Sequence, residues 1–113
     1  MTLKELLNAV KEEHLPLQRV EALRDALIHL RTDYKRRESE LKKQRALFML
    51  TYREKNKEYS TTKVAVKYPP LNLCKMMWDA TTEGQELLTV QGDLGGLNGE
   101  IDSLQSRIYS LIR

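Results

Sequence analysis

The chain has 113 residues, 31% of them charged and only 6% aromatic, with 19 basic and 16 acidic side chains for a formal net charge of +3. Its single cysteine, Cys74, excludes an intrachain disulfide, and no apolar run approaches the roughly 20 residues of a membrane span. So few large apolar residues per charge argue against a compact globule, and their regular spacing argues against disorder; a helical hairpin that buries one seam fits both.

The first predicted element is a short helix within residues 1–15. Thr2 followed by Glu5 fits a capping box, in which each side chain satisfies an orphan amide. Leu3, Leu6, Leu7 and Val10 form its apolar face. Pro16 disfavours helical geometry at Leu15 and ends the element near His14. Lys4, Lys11, Glu12 and Glu13 interrupt any secretory apolar core.

A long helix is predicted over residues 16–58, with Pro16 at its first position. Val20, Leu27, Tyr34, Leu41 and Phe48 recur every seven residues. Leu23 and Leu30 fill the complementary seam position, but Arg37 and Gln44 follow there, so the seam weakens along the helix.

Residues 59–70 read as a loop or short extended segment, in which Val64, Val66 and Tyr68 alternate with smaller or charged residues. One strand is not stable alone, so a strand here needs a partner from another copy or a ligand.

A third helix is predicted over residues 71–113. Leu73, Met76 and Ala80 open its apolar phase, with a break at Glu83. Leu87, Val90, Leu94, Leu97, Ile101, Leu104, Ile108 and Leu111 then follow at spacings of 3, 4, 3, 4, 3, 4, 3. Such a run marks a helix–helix seam, within the chain or between chains. Gly92, Gly95, Gly96 and Gly99 avoid every seam position; they imply either close approach of another helix or a local break. Met77 and Trp78 fall outside the seam phase: as an exposed pair they would join the seam residues in an oligomer or partner interface, and packing under the loop or against the first helix is the competing reading. The polar run Thr81–Gln85 reads as a kink, with Asp79 as a candidate cap.

Charge is unevenly distributed. Residues 35–75 carry twelve basic and four acidic side chains, whereas both flanks are slightly acidic. Lys35, Arg36, Arg37, Lys42, Lys43 and Arg45 lie on the distal half of the long helix, followed by Arg53, Lys55, Lys57, Lys63 and Lys67. An antiparallel hairpin would gather them at one end. Clustered cations neutralise phosphates, and Tyr52, Tyr59, Tyr68 and Trp78 nearby supply faces on which unpaired bases stack. An acidic protein surface, or simple solvation of a charged helix face, are the competing readings.

His14, His29 and Cys74 lack metal-ligand spacing, so neither metal nor cofactor is expected. No phosphate loop or nucleophile–base set is present, and a hairpin offers no deep pocket, which argues against an enzyme.

The stretch from Gln44 to Tyr52, the segment from Lys55 to Lys67 and the acidic seam helix to Arg113 resemble small helical phage replication and recombination proteins. The nearest type is the UvsY-type recombination mediator, with Lys42, Lys43, Arg45 and Tyr52 carrying the similarity. The resemblance implies an oligomer that binds single-stranded DNA through basic residues and helps load a recombinase. A phage-type inhibitor occupying the nucleic-acid groove of a host nuclease, in the manner of anti-CRISPR proteins, is the alternative. A purely structural coiled-coil module is the third. The expected setting is the cytoplasm, and a homodimer is the default assembly.

Overall fold

The computed structural model describes residues 2–12, 14–59 and 65–112. Six elements follow in order: α1 (Leu3–Val10), α2 (Leu17–Lys55), β1 (Glu58–Tyr59), β2 (Val66–Lys67), α3 (Leu71–Asp79) and α4 (Thr82–Ile112). The class is all-α, with a short N-terminal helix and long helices, carrying one small β-hairpin.

Two compact units divide the chain: Met1–Arg37 with Val90–Arg113, and Glu38–Thr89. In the first unit, Thr2 Oγ1 accepts from the Glu5 amide at 3.2 Å and caps α1. Helix α1 stops at Val10, short of the expected His14. The Pro16 carbonyl accepts from the Arg19 and Val20 amides and starts α2.

Leu6 and Val10 of α1, Val20, Leu23 and Leu27 of α2, and Leu97, Ile101, Leu104 and Ile108 of α4 make one buried cluster. Each fully buried Leu or Ile contributes about 1.5–3 kcal/mol relative to exposure. Arg31 donates to Asn98 Oδ1 at 3.1 Å, and Arg107 donates to the Val10 carbonyl at 3.0 Å, at the C-terminal end of α1. These contacts set α2 and α4 antiparallel within this unit. The seam Leu97–Ile108 therefore pairs inside the chain, as do the buried Val90 and Leu94 of the same stripe. These residues, and the buried Leu87, are covered within the chain rather than presented on its surface. Leu111, at the end of the stripe, is exposed.

Helix α4 runs unbroken through Gly92, Gly95, Gly96 and Gly99, so the local break does not occur. Nor does another helix approach them, since a Cβ added at any of the four would meet nothing within 4 Å. At 100° per residue they lie on the side of α4 opposite the seam.

In the second unit, three expectations change. Helix α2 ends at Lys55 rather than Glu58, and Asn56 closes it by donating from both backbone and side chain to the Tyr52 carbonyl. The extended segment finds its partner within the chain: β1 and β2 are antiparallel, with Glu58 opposite Lys67 and Tyr59 opposite Val66. Val64 lies outside the described residues.

The third predicted helix is two. Helix α3 ends at Asp79, and Thr81 Oγ1 caps α4 by accepting from the Gly84 amide at 3.0 Å while donating to the Trp78 carbonyl at 2.6 Å. Thr81, not Asp79, is the cap. A Cβ at Gly84 would collide with the Trp78 carbonyl, so only glycine lets α4 begin this close to the end of α3.

Candidate nucleic-acid and partner interface

The second unit presents its chemistry from the C-terminal turns of α2, the β-hairpin and α3. Leu41, Cys74, Trp78 and Leu87 are its buried apolar residues. Trp78 is 3% exposed, so of the two readings it takes the packed one, and the exposed Met–Trp pair does not form. Its ring lies 5.7 Å from that of Phe48, tilted by 58°, and Phe48 stacks on Tyr52 at 6.2 Å. Cys74 and Trp78 sit four residues apart and together form the inward face of α3. Leu73 and Met76, expected in the seam, are exposed instead, as is Met77.

The cationic residues do not form one face. Leu41 and Phe48 point α2 inward; Arg45 flanks that stripe and is half-buried, while Lys43, about 200° from Leu41, is on the opposite side. Lys42 is exposed and pairs with Glu38 at 3.8 Å. Lys35, Arg36 and Arg37 belong to the first unit. Lys63 lies outside the described residues.

Counted by unit, the net charge is more even than it is by thirds of the chain. Asp79, Glu83 and Glu86 join the basic stretch in the second unit, which holds nine basic and seven acidic residues against ten and nine in the first.

A tighter arrangement does emerge at the β-hairpin. The Arg53 guanidinium lies 4.9 Å from the Tyr68 ring centroid and the Lys57 ammonium 5.7 Å from that of Tyr59. Lys57 also donates to Glu54 at 3.0 Å. That hydrogen bond, then one with Tyr59, holds the Lys57 ammonium above its ordinary pKa. Lys55 and Lys67 are exposed beside them, and Tyr59 is 69% exposed. A groove lies at the base of the hairpin, walled by Tyr52, Tyr68 and Pro69 with Asn56, Glu58 and Lys67. Asn56 and Glu58 were not anticipated from sequence; an Asn just past a helix pattern is a stop signal that would have drawn attention to them.

A second surface is apolar. Leu47 and Leu50 on α2, and Leu71, Met76 and Met77 on α3, are exposed, Leu47 and Met76 to 67%.

Among the described residues no cluster of three or more His, Cys, Asp or Glu side chains could hold a metal, and no helix is long and apolar enough to cross a membrane. Comparison with family models, with curated proteins and with solved structures finds no match to this chain.

Proposed function

We propose that the chain is a nucleic-acid-associated accessory protein that contacts single strands through the β-hairpin end of its second unit. The observation that carries this reading is the interleaving of cations and exposed aromatic rings there: Arg53 on Tyr68, Lys57 on Tyr59, with Lys55 and Lys67 alongside. Cations neutralise phosphates without regard to sequence, and tyrosine faces stack on bases that are not already paired. Duplex DNA offers no unstacked base to such rings. A role in replication or recombination, of the kind the mediator resemblance implies, accords with single-strand binding.

Fluorescence anisotropy with a labelled oligonucleotide tests it. Affinity is expected to fall steeply between 50 and 200 mM salt, with a log–log slope of about −0.7 for each neutralised phosphate. Lys55→Glu with Lys67→Glu weakens binding and flattens that slope. Binding that ignores both salt and this double variant would refute the reading.

The exposed Leu47, Leu50, Met76 and Met77 favour a second reading, a protein-binding adaptor or a self-associating module, because large apolar side chains that gather on a surface mark interaction sites. Met side chains adapt readily to a partner's shape. Sedimentation of the wild type and of Leu50→Asp with Met76→Asp checks self-association: the wild type is expected as a dimer and the variant as a monomer.

A further inference from the structure

The outward side of α2 carries a stripe of its own, apart from the inward one of Leu41 and Phe48. Glu40, Lys43, Leu47, Leu50 and Glu54 follow at spacings of 3, 4, 3 and 4, which sets them along one line of the helix. All five are exposed, Leu47 to 67% and Leu50 to 61%, and all belong to the second unit. Gln44, Ala46 and Thr51, beside the two leucines, carry no charge. Lys57, just past the end of α2, donates to Glu54 at 3.0 Å.

The charges mirror one another with opposite sign about the leucine pair. Toward the N-terminus the order is Lys43, then Glu40; toward the C-terminus it is Glu54, then Lys57. Two copies of this stripe fit each other in one orientation only. Laid antiparallel, with Leu47 of one copy against Leu50 of the other, Lys43 comes opposite Glu54 and Glu40 opposite Lys57. A twofold axis between the leucines makes every contact twice. Laid parallel, each residue meets its own counterpart, lysine against lysine and glutamate against glutamate. Exposed ion pairs are weak one by one, so the four leucines supply the attraction and the charges select the orientation. A nucleic-acid strand is a poor occupant of this stripe, because Glu40 and Glu54 repel phosphates.

We infer that α2 pairs antiparallel with α2 of a second copy of this chain along the Glu40–Glu54 stripe. The inference rests on the self-association reading given above and adds to it a face, a register and an orientation. Met76 and Met77, on α3, lie outside the contact.

The test is sedimentation equilibrium of the full chain over a concentration series, for the wild type, Lys43→Glu, Glu54→Lys and the double variant that exchanges the two charges. These side chains are exposed, and circular dichroism melts verify the fold of each variant. Each single substitution is expected to weaken the dimer by about tenfold, because two symmetry-related pairs turn from attractive to repulsive. The double variant is expected to return to within about threefold of the wild type, the coupling that a pair in contact shows. A dimer whose affinity ignores both single variants would overturn the α2 stripe and leave self-association through another face standing. So would a double variant no tighter than the single ones, which is the outcome for a parallel pair. A wild type that remains monomeric at every concentration would remove the self-association reading and this interface together.

Discussion

The two units divide the apolar residues in opposite ways. Among the described residues, the first unit buries twelve apolar side chains and exposes three large ones; the second buries four and exposes ten. Both are drawn from the same two long helices, so helix propensity does not explain the contrast. In the first unit, three helices converge on one seam and each covers the others. In the second, α3 is nine residues long and turns only Cys74 and Trp78 inward. The first unit is a folding core. The second is a surface held in shape by a small number of anchors, and its exposed Leu, Met and Tyr side chains are where binding free energy remains to be gained.

That contrast can be broken by substitution. The largest effect is expected for Leu104→Ala, at a fully buried site in the first unit, with a loss of about 2–5 kcal/mol in denaturant unfolding. Gly84→Ala comes next: the added Cβ meets backbone at the end of α3, and about 1–3 kcal/mol should be lost as the α3–α4 junction shifts. A smaller effect follows from Thr81→Ala, which removes the α4 cap and costs about 1 kcal/mol by the same measurement. Met76→Ala should change stability by less than about 0.5 kcal/mol, because its side chain packs on little. If Met76→Ala destabilised the protein as much as Leu104→Ala, the division into core and surface would be wrong.

The smallest effect sharpens the account of the hairpin. Glu54→Gln removes the main cause of the raised Lys57 pKa, so the ammonium should titrate at lower pH, as NMR would record. Because the folded value is raised, the favourable contact is present below the unfolded lysine pKa of about 10.4 and disappears only as pH rises through the folded value. No change in stability is expected from this group between pH 6 and 9.

Periodicity made the first unit legible. The run from Val90 to Ile108 and the heptads from Val20 to Leu27 read correctly because an uninterrupted helix keeps its phase. The same logic failed at α3. Carrying the α4 phase backward predicted Leu73 and Met76 in the seam, but Ala80 and Thr81 separate two helices, and the phase is lost across them. Cys74 and Trp78 took the inward positions instead. The β-hairpin was half legible: Tyr59 and Val66 fell in the expected extended segment, but Glu58 looks like the end of a helix, and only Asn56 signals the stop. The basic residues were legible as a stretch of sequence but not as one helix face: Lys43 lies on the opposite side of α2 from Leu41 while Arg45 flanks the inward stripe, and Asp79, Glu83 and Glu86 belong to the same unit.

The glycines of α4 have a consequence for how this chain opens and closes. Each lowers intrinsic helicity by about 1 kcal/mol relative to alanine, and no neighbour within the chain compensates on that side. Detached from α2, the segment would hold no helix of its own. In hydrogen-exchange measurements, the amides of Gly92, Gly95, Gly96 and Gly99 should therefore exchange together, at the rate at which the seam itself separates, with no slower residual protection left behind.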